Sequence, residues 1–233
     1  MKITAMTSAK RSAWGVFPKA TDGRRGSGGR LSVAMLAVAL ALGQAQLARG
    51  AQFGSAARDR VEQPEKVMEA VGVRPGMVVG EIGAGSGYFT FWLARGVGEG
   101  GKVYANDIDR GGLARIERRM ADDEVANIET VLGTVDDPRL PRASLDMVFM
   151  VNSFHDLERP VELLANLLPA LKPGATVVLM DRDPAKVADS GGHFLTRAEV
   201  EEIVGRSVFE LVRVETFLRD HNLYILRARR PVS

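Results

Sequence analysis

Cysteine is absent from the 233 residues. That excludes a disulfide framework, a thiolate metal site and a cysteine nucleophile, and leaves the redox compartment open. Histidine occurs three times, at His155, His193 and His221. Positions so far apart in a chain without cysteine argue against zinc, and no metal is expected. Aromatic residues make up only 6%, and they do not interleave with basic residues as a nucleic-acid surface would require. Hydrophobic residues at 45% and charged residues at 26% exclude a disordered or collagen-like chain. The length suits one full-sized domain and a short extension.

The net charge of +2 is unevenly spread. Residues 1–58 hold nine Lys and Arg and a single acid, Asp22, which leaves 22 of the 31 basic residues and 28 of the 29 acidic residues to the body. An acidic body has no general reason to bind a polyanion, so no nucleic-acid partner is expected. The leader, residues 1–50, reads as a basic region followed by an uncharged apolar stretch over 31–42 and small residues at Gly43-Gln44-Ala45. This is the pattern of a signal peptide, or of an N-terminal anchor if uncleaved, and any membrane association is expected through it alone. An exported, periplasmic or membrane-anchored protein follows if the leader is used. A downstream start, at Met35 for example, would make the protein cytoplasmic.

Residues 55–233 form the expected domain. After a polar segment over 55–63, Pro64 opens a helix and Pro75-Gly76 forces a turn. Strands are expected over 77–82, 102–108, 128–132, 146–151 and 175–180. Helices are expected from 88 and over 112–121, 159–171 and 196–204. The helix over 159–171 is closed by Lys172-Pro173-Gly174, and Thr196 and Glu199 form a capping box. Two β-rich runs, 209–218 and 222–229, flank Arg219-Asp220-His221 as a hairpin, with His221 in the exposed turn. The fold class is α/β: a Rossmann-like, seven-stranded, mostly parallel sheet with a C-terminal antiparallel hairpin and helices on both faces.

The chemistry concentrates in Glu81-Ile82-Gly83-Ala84-Gly85-Ser86-Gly87-Tyr88. Three alternating glycines between a strand and a helix let backbone N–H groups approach a ligand. A dinucleotide loop would place its third glycine at position 88, which is Tyr88; a nicotinamide-dependent oxidoreductase is therefore disfavoured. Glu81 suits a cationic ligand. Asp107, at the end of the second strand, suits the two hydroxyls of a ribose, and Asp109 suits a helix cap.

Taken with Leu132-Gly133-Thr134-Val135-Asp136 and Asp146–Asp156, these residues resemble the class I S-adenosylmethionine-dependent methyltransferases over about 60–185, and more loosely to 229. The resemblance implies S-adenosylmethionine as cofactor. Glu81 would hold the methionine amino end, Gly83, Ala84, Gly85 and Gly87 would form the loop, and Tyr88 would touch the methionine carboxylate. Asp107 would take the ribose and Ile108 would pack on adenine. Thr134 stands where many relatives place Asp, so the backbone at Thr134 and Val135, or Asp136, would replace that contact. Asn152 would lie beside the sulfonium methyl. His155 is the candidate general base, His193 a weaker one, and Asp156 a cap for the next helix. The acceptor is expected to be a small molecule, with an O, N or C nucleophile, since the Asn/Asp-Pro-Pro-aromatic motif of amino-group methylases on nucleic acid is missing. The alternative is a non-catalytic nucleoside-binding module. An exported domain would be separated from a cofactor made in the cytosol, a tension that the leader leaves in place.

Overall fold

Apolar, β-branched runs with glycine-rich ends dominate the order of elements. The computed structural model describes residues 56–187 and 191–229, so the leader expected over 1–50 lies outside the described residues. Helices α1 (Ala56–Glu62) and α2 (Pro64–Val71) precede β1 (Val78–Ile82), α3 (Tyr88–Val97), β2 (Lys102–Asp107), α4 (Arg110–Asp122) and β3 (Ile128–Leu132). Then follow β4 (Leu145–Val151), α5 (Pro160–Leu167), β5 (Leu171–Arg182), α6 (Arg197–Gly205), β6 (Phe209–Glu215) and β7 (His221–Ala228). The sheet order is β3-β2-β1-β4-β5-β7-β6. β1 to β5 pair in parallel, and β7 inserts antiparallel between β5 and β6. This is the seven-stranded sheet expected. Among the described residues no helix is long and apolar enough to cross a membrane.

Burial on both faces explains the continuous hydrophobicity of the central strands. Phe149 of β4 and Val178 of β5 join Phe89 and Leu93 of α3 and Ile116 of α4 in one core layer. Val148 and Val177, on the opposite face, meet Leu163, Leu164 and Leu167 of α5 in the other. The capping box on α6 forms as expected, with Thr196 and Glu199 exchanging both hydrogen bonds.

Three local expectations are corrected. The polar segment before Pro64 is helical, as α1. α5 stops at Leu167, a short 3-10 turn carries Leu168–Ala170, and Leu168 is left exposed. Lys172-Pro173-Gly174 does not close a helix but lies inside β5, where the pairing with β4 slips between Leu145 and Met147. A proline is tolerated there because a bulge needs no ladder donor at that residue.

Candidate active site

The site forms at the carboxyl ends of β1, β2 and β4, the edge where an open α/β sheet binds ligands. β1 ends at Ile82 and the chain reverses at Gly83, which has φ +75°. A Cβ there would lie 2.5 Å from Cβ of Ser153, so only glycine fits. Gly83 N and Ala84 N both donate to the Asn106 carbonyl, at 2.9 and 3.0 Å. Gly85 N donates to Asp107 Oδ2 at 2.7 Å, and Asp109 N donates to Asp107 Oδ1 at 2.8 Å. The glycine loop is therefore pinned to the end of β2 by the carboxylate expected at the ribose. Asp109 caps α4 as expected, accepting from Gly111 N and Gly112 N.

A cavity of about 290 Å³ opens here. It brings together Gly83, Asp107, Ile108, Thr134, Val135 and Asn152 from the expected set. Ile108 is 60% exposed, an apolar side chain offered to solvent at the mouth. Other expected residues sit off this cavity. Ala84 is buried behind the loop. The Tyr88 hydroxyl donates to Asp59 Oδ1 at 2.7 Å, and the Arg58 guanidinium lies 3.7 Å from the ring centroid. Burial and that hydrogen bond raise the phenol pKa. Asp136 accepts from the Thr134 hydroxyl at 3.0 Å and from Arg159 Nη1, so its carboxylate is already engaged.

Glu81 is buried and accepts from Thr90 Oγ1. Burial pushes its pKa up to about 8, against a lowering by the Thr90 hydrogen bond. A carboxyl raised in the folded state binds more protons folded than unfolded between about 4.5 and about 8. Its contribution to stability therefore falls as pH rises through that window and is level above it. Glu81→Gln keeps an acceptor for Thr90 without an ionisable group. The melting temperature of the variant relative to the wild type should climb from pH 5 to pH 8 and then hold, by more than about 4 °C, given roughly 2–4 °C per kcal/mol in a domain of this size. A flat difference in thermal scans would show that Glu81 is ionised throughout.

A second cavity, of about 540 Å³, is lined by Arg58, Glu62, Asn152, His155, Arg182 and Phe194 among others. Asn152 lines both cavities. It holds φ +52°, its Nδ2 donates to Glu62 Oε1 at 3.1 Å, and its Oδ1 lies 2.8 Å from His221 Nε2. His221 is fully buried in β7, not exposed in a turn as expected. The strand begins one residue earlier than read, and β7, inserted between β5 and β6, is buried from His221 through Leu226. Burial drives its pKa down to about 4. The ring is therefore neutral near pH 7, with Nε2–H donating to Asn152.

His155 sits in the 3-10 turn after β4 with its side chain 4% exposed. Its Nδ1 lies 2.7 Å from Asp181 Oδ1, and its backbone N donates to Asp181 Oδ2 at 3.1 Å. The Asp181 carboxylate raises the histidine pKa against the effect of burial. Asp156 does not cap the following helix: Arg159 occupies that place, without a side-chain cap. The Asp156 carboxylate instead lies 3.4 Å from His155 Nε2 and 3.8 Å from His193 Nε2. The two histidines, remote in sequence, have ring centroids 4.8 Å apart.

Sequence reasoning missed Glu62, Asp181 and Arg182. Glu62 is 4% exposed, and its Oε2 has no hydrogen-bond partner among the described residues. Asp181 carried a usable signal: like Asp107, it lies at the carboxyl end of an apolar strand.

A family model described as a methyltransferase domain matches residues 79–174. The tRNA (adenine(58)-N(1))-methyltransferase TrmI of Thermus thermophilus is 38% identical over 105 residues, 45% of this chain and 39% of that protein. The ubiquinone/menaquinone biosynthesis C-methyltransferase UbiE of Azotobacter vinelandii is 30% identical over 115 residues, 49% of this chain and 46% of that protein. The match thus spans less than half the length of these curated relatives. The crystal structure of a SAM-dependent methyltransferase from Aquifex aeolicus superposes with a TM-score of 0.69 at 26% identity, covering 77% of this chain and 97% of that one. Domain match, sheet order and glycine loop agree: residues 79–174 match a methyltransferase domain, set in the fold of the class I S-adenosylmethionine-dependent methyltransferases.

Proposed function

We propose that the protein transfers the methyl group of S-adenosylmethionine to a small molecule held beside His155. The observation that carries this reading is the convergence of Gly83, Asp107, Ile108, Thr134, Val135 and Asn152 on one cavity. Asp107 accepts from the ribose hydroxyls, Ile108 covers the adenine, and the backbone of Thr134 and Val135 lines its edge. The methionine end runs past Asn152 toward the Arg58–Glu62 ion pair, which presents one charge of each sign to an ammonium and a carboxylate. Glu81 supports that end from below the loop.

The acceptor enters from the larger cavity. Its lone pair forms the new bond to the methyl carbon as the carbon–sulfur bond breaks, the electron pair stays on sulfur, and S-adenosylhomocysteine leaves. The sulfonium donor is already activated, so orientation and exclusion of water supply most of the acceleration, up to about 7–11 kcal/mol in favourable cases. An oxygen or nitrogen acceptor also loses a proton, and His155 is the buried polar group that acts there.

The acid surplus of the body favours a small acceptor over RNA. The TrmI relative supplies the competing reading. Both are resolved by calorimetry with S-adenosylhomocysteine followed by incubation with labelled S-adenosylmethionine, a cell extract and total RNA. Micromolar binding, with label in the small-molecule fraction, is the expected result. Label in RNA would overturn the acceptor class. Binding without transfer to any fraction would favour the nucleoside-binding alternative, and tighter binding of NAD would overturn the cofactor.

A further inference from the structure

His155, Asp156 and His193 offer ligand atoms that all lie within 4.8 Å of one another. We propose that they form a divalent-metal site where the two cavities meet, and that the ion binds the oxygen of a hydroxylated acceptor. The proposal rests on the methyl-transfer reading for the acceptor, but not for the ion.

Three independent observations support the site. The first is distance. Nitrogen and oxygen ligands sit about 2.0–2.2 Å from zinc, which places them roughly 3–3.5 Å from each other on a common ion. The 3.4 Å between His155 Nε2 and Asp156 Oδ2 already meets this, and the 3.8 Å between Asp156 Oδ1 and His193 Nε2 needs only a small movement. His193 and Asp156 are 59% and 62% exposed at their side chains, so both are free to make it. The second is the support behind His155. Its Nδ1–H donates to the buried Asp181 carboxylate, which fixes the tautomer that leaves the Nε2 lone pair for a ligand. A carboxylate behind a histidine in this way is the usual outer-shell arrangement of metal ligands. The third is location. Asp156 lines the nucleoside cavity and His155 lines the larger one, so an ion held by both faces donor and acceptor.

Two histidines and one carboxylate leave open coordination positions and suit zinc, iron, cobalt or manganese. A hydroxyl on such an ion loses its proton to water far more readily than a free one. The resulting alkoxide or phenolate takes the methyl carbon as the bond to sulfur breaks. His155 then serves as a ligand, and the proton goes to solvent.

The test uses the full-length protein, stripped with a chelator and titrated with cobalt(II) by calorimetry and visible absorption. One equivalent should bind, with absorption bands of nitrogen-ligated cobalt. His193→Ala and Asp156→Asn, both at exposed positions, should each weaken binding at least 10-fold, while His193→Ala keeps the wild-type affinity for S-adenosylhomocysteine. Absence of stoichiometric binding, or binding by both variants as tight as wild type, overturns the proposal. If the protein binds no ion yet transfers methyl groups, the methyl-transfer reading survives and His155 acts as a proton acceptor. If cobalt binds as expected but S-adenosylhomocysteine does not, the ion site survives and the methyl-transfer reading fails.

Discussion

Asp107→Ala should weaken S-adenosylhomocysteine binding about 100-fold or more in calorimetry, since two hydrogen bonds to a charged carboxylate are each worth roughly 1.5–3 kcal/mol. The sequence argues for this from the ribose alone. The structure adds a second reason, because Asp107 Oδ2 accepts from Gly85 N and so fixes the loop that the ligand must meet. Each carboxylate oxygen carries one protein donor, and further lone pairs remain for the ribose. Asp107→Asn separates the two effects. An amide oxygen still accepts from one backbone N–H but offers a donor on its other side, so its affinity should fall between wild type and Asp107→Ala. Asp109→Ala is the control. It removes the cap of α4, costing about 1 kcal/mol of stability, and should leave affinity within a few fold. If Asp107→Ala binds within about threefold of wild type, the ribose assignment is lost.

The parts of the molecule legible in the sequence are those governed by neighbours along the chain. β3 is read to the residue, the helix over 112–121 lies within α4, and the capping box at Thr196 is present, because periodicity and capping are local properties. The grouping of candidate residues around one cavity is legible for the same reason: they lie at strand ends, and strand ends of a parallel sheet share one edge. Features made by long-range contact were not. His155 and His193 meet only because the chain after β5 returns over the 3-10 turn. His221 faces inward because β7 inserts between β5 and β6, which no local pattern states. Lys172-Pro173-Gly174 reads as a helix stop, and only the slipped register of β4 and β5 shows why a strand accommodates it. Glu62 lies in the stretch read only as a polar segment before Pro64, and α1 places it beside Asn152.

Gly112→Ala is the substitution whose expected sign runs against local propensity. Gly112 lies in the first turn of α4, where alanine would ordinarily gain up to about 1 kcal/mol over glycine. A Cβ at this position, however, would stand 2.4 Å from the Gly85 carbonyl oxygen and 3.1 Å from its carbon. Those atoms are backbone of the glycine loop, and the loop is tied to Asp107 on one side and to Asn106 on the other. No flexible side chain can swing away, so either α4 or the loop must shift. Overpacking of this kind costs roughly 1–3 kcal/mol. The variant should melt lower and bind S-adenosylhomocysteine at least 10-fold more weakly, since the residue that must move, Gly85, also carries the N–H that donates to Asp107. Gly205→Ala supplies the opposite case. At the end of α6 a Cβ would meet nothing within 4 Å, so it should be neutral or stabilising, with unchanged affinity. Denaturant titration and calorimetry on the two variants decide the matter. Should Gly112→Ala match Gly205→Ala in both measurements, the packing of α4 against the glycine loop is looser than these distances require, and the rigidity assigned to that loop goes with it.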